Sequence, residues 1–130
     1  MISRLKIMNY QAFIGVFGNI PDLVNSELLE VEIKRDGPTV FIKILTIEKV
    51  ITKPKRWDTW DVIYIDMSFL GVKNLEINGL GTNNIINQFE IKDSGEYGEL
   101  EIKCNNEMHI KCLFDWARIE NISPGLIGLK

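Results

Sequence analysis

The chain has 130 residues, of which 45% are hydrophobic and 25% are charged, as in folded globular proteins rather than disordered ones. This length predicts one domain, residues 1–130, whose core needs neither a disulfide nor a metal. The formal net charge of -3 argues against a general nucleic-acid binder, which needs a basic surface. Isoleucine occurs 20 times, and such β-branched residues favour strands.

The N-terminal segment lacks the pattern of an export signal. Arg4 and Lys6 resemble the positive region of such a signal, but residues 7–11 are too polar for the hydrophobic stretch that should follow. No apolar run approaches the ~20 residues of a membrane span. We therefore expect a soluble, cytoplasmic protein that has no membrane partner.

The first predicted element is a short helix over residues 10–17. Its apolar side chains recur at the spacing of one helical face. Asn9 stands where an N-cap side chain accepts a backbone N–H, and Gly18 ends the helix. The residues of the predicted apolar face are Tyr10, Phe13, Ile14 and Phe17.

A β-hairpin is predicted next, between residues 28 and 46. Two segments of alternating apolar and charged residues flank the turn sequence Arg-Asp-Gly-Pro at residues 35–38. A four-residue loop places apolar side chains opposite apolar ones and an acid opposite a base, so the register is self-consistent. The predicted pairs are Ile33 with Val40, Val31 with Ile42, Leu29 with Ile44, and Glu30 with Lys43.

The middle of the chain combines a basic, aromatic connection with further strands. The connection contains Lys53, Lys55 and Arg56 beside Trp57 and Trp60. Alternation then predicts strands at residues 62–70, 75–77 and 85–91, which are separated by glycine- and asparagine-rich turns.

The last predicted hairpin, residues 99–112, has a register that its own alternation selects. A three-residue loop, Asn105-Asn106-Glu107, keeps apolar side chains opposite apolar ones, whereas a two-residue loop mixes the faces. This register places Cys104 and Cys112 on the core face, about 13 Å apart along the hairpin and too far apart for a disulfide. We expect both thiols to be reduced and buried.

These segments predict a mainly β fold, an antiparallel sheet or sandwich of about seven to nine short strands with one short N-terminal helix. No helical pattern alternates with the strands, and this argues against a parallel α/β sheet.

No catalytic, cofactor-binding or metal-binding residue emerges from the sequence. His109 completes a Cys-x4-His-x2-Cys spacing, but alternation places the imidazole on the opposite face from both thiols. Gly79 and Gly81 lack the third glycine and the helix of a phosphate-binding loop. The sequence does not exclude the paired carboxylates of a hydrolase, because such pairs are brought together only by the fold. The prediction is a protein that is not an enzyme and has no cofactor.

Two surface features have a binding and a structural interpretation. The basic, aromatic connection could contact single-stranded nucleic acid, or its tryptophans could cover an open end of the sheet. Residues 90–107 hold six acids and two bases, which form either a binding face or a solvated one.

The chain resembles a family of bacterial proteins, immunity protein 50, through several short stretches in order. They lie mostly within residues 17–80 and include Phe-Gly-Asn-Ile-Pro-Asp, Arg-Asp-Gly-Pro-Thr and Pro-Lys-Arg-Trp. The matching stretches are residues 17–22, 26–29, 33–39, 54–57 and 67–77.

This resemblance implies a non-enzymatic protein that binds a cognate toxin domain, blocks it, and so protects the bacterium in a polymorphic toxin system of contact-dependent competition. It implies no direct nucleic-acid partner and leaves homo-oligomers open. Two other classes remain as alternatives: a small-ligand-binding β-barrel or sandwich with an internal pocket, and a hydrolase with converging carboxylates.

The predicted toxin-binding residues combine the acidic tract with the tryptophans. Many toxins of such systems attack nucleic acids and need a basic cleft, so an acidic face would imitate the charge of the substrate. A tryptophan would add an aromatic anchor. The predicted residues are Glu96, Glu99, Glu101, Glu107, Trp57 and Trp60.

Overall fold

The computed structural model describes residues 1–128 and confirms the predicted mainly β architecture. Within these residues one helix, α1 (Gln11–Phe17), precedes eight antiparallel strands. Short 3-10 turns occupy Arg4–Lys6 and Asn105–Glu107. The strands are β1 (Glu27–Lys34), β2 (Thr39–Thr46), β3 (Val62–Leu70), β4 (Lys73–Asn78), β5 (Asn84–Asp93), β6 (Gly98–Cys104), β7 (His109–Phe114) and β8 (Trp116–Gly125).

The sheet consists of two four-stranded halves that meet at a narrow seam. Its strand order is β4-β7-β6-β5-β1-β2-β3-β8. At the seam, β1 and β5 pair only through Glu27 with Ile85 and Leu28 with Asn84. Across the core, the rings of Phe69 on β3 and Phe114 on β7 meet edge to face at 5.1 Å between centroids.

The predicted register of the first hairpin is confirmed except at its base. Val31 pairs with Ile42 and Glu30 with Lys43, as the alternation required. The predicted pair of Leu29 with Ile44 is wrong, because a β-bulge places Leu28 opposite Ile44 and leaves Leu29 exposed. Leu28 is one of the two β1 residues that also pair with β5.

The predicted register of the last hairpin is confirmed in full. Leu100 pairs with Cys112 and Lys103 with His109, and residues 105–107 form the odd loop. The backbone N–H of Cys104 donates to the Met108 carbonyl at 2.9 Å and closes that loop.

The helix lies where it was predicted, but its cap and its buried face differ from the prediction. The side chain of Asn9 does not cap α1, which begins after Tyr10 without any side-chain cap. Asn9 instead bonds the backbone of Ile119 on β8 twice: Nδ2 donates to the carbonyl and Oδ1 accepts from the N–H, each at 2.8 Å. Ile14 is exposed, and Val16 takes its expected place in the core.

The eighth strand, β8, was not predicted. It pairs along β3, and a bulge at Glu120 shifts the register between Ile119 and Asn121. This bulge and Pro124 interrupt the alternation that would have identified a strand.

The N-terminal segment joins the two halves of the sheet. Ile2 pairs with Ile91 of β5, and Ile7 pairs with Ala117 of β8. Between them Lys6 is buried, and its ammonium donates to the Gly95 carbonyl at 2.9 Å. The segment therefore spans from one half of the sheet to the other.

Candidate functional site

The outward face of β6 carries two of the predicted toxin-binding carboxylates. Glu99 and Glu101 point away from the core, because their neighbours Leu100 and Ile102 are fully buried. The hydroxyl of Ser94 donates to Glu99 Oε2 at 2.9 Å. Both carboxylates remain partly exposed and therefore accessible to a partner.

His109 lies on this outward face as well and bonds Glu101. Its Nε2 is 3.1 Å from Glu101 Oε2, and this hydrogen bond is the main reason why the pKa of Glu101 lies below its usual value. Its position agrees with the alternation that separated the imidazole from the two thiols.

The two thiols face the core and are free, as predicted. Burial raises the pKa of Cys104 to about 11 and that of Cys112 to about 12. Both therefore stay protonated near neutral pH, where a protonated thiol is a poor nucleophile. Within residues 1–128, no group of three or more His, Cys, Asp or Glu side chains could hold a metal ion.

The acidic tract does not form a uniformly acidic face, because the neighbouring strands contribute lysines. Residues directly opposite one another in a sheet share a face. The outward face of the half formed by β4, β7, β6 and β5 carries four carboxylates and four ammonium groups. They are Glu76, Glu90, Glu99, Glu101, Lys73, Lys92, Lys103 and Lys111.

The other two predicted glutamates lie at opposite ends of β6. Glu96 is exposed in the turn before the strand, and Glu107 is exposed in the turn after it. A strand of this length spans roughly 20 Å, at about 3.3 Å per residue. The structure therefore brings Glu99 and Glu101 together and separates Glu96 from Glu107.

The turn that contains Glu107 borders a surface cleft of about 460 Å³. Asn106 and Glu107 have φ angles of 57° and 62°, so two consecutive residues adopt the left-handed region. The Oδ1 atom of Asn105 accepts the Ile85 N–H at 2.9 Å and ties the turn to β5.

The two tryptophans that were predicted to bind the toxin pack against each other and toward the core. Trp57 is 6% exposed, and Trp60 is partly buried. Their rings meet edge to face at 5.3 Å. Of the two indoles, Trp60 therefore offers a partner more surface, while Trp57 supports it from below.

The sequence did not single out an ionic cluster on the outward face of the other half of the sheet. Lys43 Nζ lies 3.8 Å from Glu30 Oε2, 4.0 Å from Asp66 Oδ1 and 5.6 Å from the Tyr64 ring centroid. Burial, more than the neighbouring carboxylates, raises the pKa of Asp66. The predicted pairing of Glu30 with Lys43 was the signal that could have located this cluster.

An exposed group of aliphatic side chains near the seam was also not predicted from the sequence. Val24, Ile47 and Ile51, the aliphatic patch, are 39%, 71% and 59% exposed. In the sequence they read as ordinary core residues, because apolar side chains carry no mark of the face they occupy.

Among residues 1–128, no helix has the length and apolar character needed to cross a membrane. No match was found among curated proteins or among solved structures. The family model of immunity protein 50 matches residues 9–125, which include α1 and all eight strands described above. The chain therefore belongs to the immunity protein 50 family.

Proposed function

We propose that this protein binds a cognate bacterial toxin domain and neutralises it by occlusion, without any catalysis of its own. Residues 1–130 act as one immunity domain in the cytoplasm, where the protein protects its host from toxins exchanged in contact-dependent competition. Membership of the immunity protein 50 family is the observation that carries this proposal.

The outward face of β6 and its two flanking turns form the proposed toxin contact. Glu99 and Glu101 sit among lysines of β5 and β7, so a partner with the complementary charge pattern would dock in one register. Glu96 and Glu107 lie at the two ends and attract basic side chains. Trp60, which precedes β3 in the other half of the sheet, provides a separate aromatic contact, with Trp57 supporting it.

Carboxylates at the rim of an interface mainly affect how fast the partners associate, whereas buried apolar contacts affect how slowly they separate. Because four lysines share this face with its carboxylates, we expect the electrostatic increase in association rate to lie at the low end of its usual range. Removing the four glutamate charges should slow association about tenfold at low salt.

The test is a kinetic comparison with the cognate toxin domain, sought in the gene immediately upstream and purified in an inactive form. One variant changes Glu96, Glu99, Glu101 and Glu107 to Gln. A matched control removes four exposed charges outside this face, through Glu30→Gln, Glu32→Gln, Asp36→Asn and Asp58→Asn. Growth of cells that express the active toxin with each variant reports protection.

We expect the wild type to bind and protect, the glutamate variant to associate more slowly with a weaker salt dependence, and the control to behave as the wild type. Equal association rates for both variants would show that the face of β6 is only solvated. Failure of the wild type to bind or protect would refute the proposed function itself.

A further inference from the structure

The aliphatic patch lines two neighbouring clefts near the start of β1. A cleft of about 260 Å³ is bordered by Val24 and Ile47, and a cleft of about 350 Å³ is bordered by Ile51. Both clefts share Glu48 and Lys49 as a common wall. Contiguous exposed aliphatic side chains with a charged border are typical of protein-binding surfaces.

The backbone that carries the patch is firmly held. Leu23 adopts a left-handed φ of 64° although it is fully buried, so the surrounding packing imposes this conformation. The hydroxyl of Ser26 donates to Thr46 Oγ1 at 2.8 Å and joins the two segments beneath the patch. The N–H of Ile51 donates to the Val16 carbonyl at 2.8 Å. A surface that is already ordered loses less entropy when a partner binds.

Two carboxylates border the clefts, and Lys49, which shares their wall, forms an ion pair with neither. Asp22 and Glu48 both line the cleft beside Ile51. Burial, and then the charge of Asp22, raise the pKa of Glu48. Within residues 1–128, neither carboxylate forms an ion pair within 4.0 Å. A cation supplied from outside would be attracted by both charges.

The patch lies beside the turn that contains Glu107. The N–H of Asn25 donates to the Ile86 carbonyl at 2.8 Å, and Asn105 Oδ1 accepts from Ile85 on the other side of β5. The two loops are therefore separated by about two strand spacings, or ~10 Å. The patch thus continues toward one end of the proposed toxin contact, and Glu96 lies at the opposite end.

We propose that the aliphatic patch determines the affinity for the toxin, and that it takes a toxin segment with an apolar side chain next to a lysine or arginine. The apolar side chain enters the clefts beside Ile47 and Ile51, while the cation lies between Asp22 and Glu48. This inference rests on the proposed function and assigns to a second surface the contacts that hold the complex together.

The test uses the same inactive toxin domain as the probe. The double variant Ile47→Ser with Ile51→Ser removes the two most exposed side chains of the patch, and Ile33→Ser with Met8→Ser removes two comparably exposed apolar side chains elsewhere. We expect the patch variant to dissociate at least about tenfold faster with little change in association rate, and the control to match the wild type. Far-UV circular dichroism and thermal melting check that both variants fold.

The remaining variant addresses the cation. Glu48→Gln should weaken binding and reduce its dependence on salt, because one of the two charges that attract the cation is lost. Sedimentation of the protein alone tests the competing occupant, a second copy of this chain.

Each outcome bears on the inference separately from the proposed function. If the wild type binds and the patch variant dissociates no faster than the control, the inference is wrong while toxin binding stands. A dimer that the patch variant disrupts, with unchanged toxin affinity, would assign the patch to self-association and overturn the inference. If the wild type does not bind the toxin, both proposals fall together.

Discussion

The two hydrogen bonds between Asn9 and Ile119 give the sharpest test of how this fold is held together. An N-cap accepts Asp as readily as Asn. The cross-link to Ile119 does not tolerate Asp, because it needs a side chain that both donates and accepts a hydrogen bond. Asn9→Asp loses the amide donor and sets a carboxylate oxygen against the Ile119 carbonyl. The same substitution therefore separates the role predicted from the sequence from the role in the structure.

The expected cost follows from the bonds that are lost. A typical hydrogen bond contributes about 0.5–1.5 kcal/mol net, and a partly buried carbonyl left without its donor adds to the loss. We expect Asn9→Asp to lower the free energy of unfolding at pH 7 by about 1–3 kcal/mol. For a chain of this length that lowers the melting temperature by roughly 4–12 °C. Asn9→Ala, which loses both bonds, should fall in the upper part of this range.

Urea unfolding followed by circular dichroism measures the difference, with Asn83→Asp in an exposed turn as the control for added charge. Apposition to a carbonyl should raise the pKa of the introduced carboxyl in the folded state above its unfolded value. The folded state then binds the proton more tightly, so the deficit of Asn9→Asp should shrink as the pH falls toward about 4. A variant within about 0.3 kcal/mol of the control at pH 7 would refute the cross-link as a source of stability.

Four further predictions concern the core, the helix and the patch. In alkylation without reductant at pH 8, Cys104 and Cys112 should stay unlabelled in the folded protein, and two labels should appear after unfolding; a native disulfide would block both. Gly98→Ala should destabilise by about 1–3 kcal/mol in urea unfolding, because the added methyl would overlap the buried ring of Phe114. Gly15→Ala, with open space around it in the helix, should raise the free energy of unfolding by about 0.5–1 kcal/mol. If the two glycine substitutions changed the free energy of unfolding in the same direction, this packing would be contradicted. Glu48→Gln should raise stability at pH 7, since burial disfavours the charge in the folded state, and this gain should vanish as the pH falls through the raised pKa to the unfolded value; a pH-independent difference would contradict it.

The local hairpins could be predicted because each carries its own register information. In the last hairpin, a one-residue shift would have moved Leu100 and Ile102 to the solvent face, so alternation left one solution. The bulge at Leu29 could not be predicted in this way. It places Leu28 where β1 meets β5, and that strand lies more than 50 residues away in the sequence.

The candidate site shows the same limit. The acids of residues 90–107 are a sequence-local fact, and the register of the last hairpin already placed Lys111 beside Glu101. Lys73 reaches the same face only through the pairing of β4 with β7, which the sequence does not state. The sequence predicted that Asn9 caps the adjacent helix, whose backbone N–H groups are the nearest donors in the chain. Its actual partner is 110 residues away, and propensity rules for caps carry no information on such contacts.

The bridge that the N-terminal segment makes between β5 and β8 also constrains the order in which the chain can fold. Ile7 and Asn9 have partners in Ala117 and Ile119, which the ribosome makes 110 residues later. Until β8 leaves the exit tunnel, β3 presents an unpaired edge and the N-terminal segment has nothing to bind on that side. We therefore expect slow folding that is completed only after β8 has been made, and a nascent chain that needs protection from aggregation during that interval.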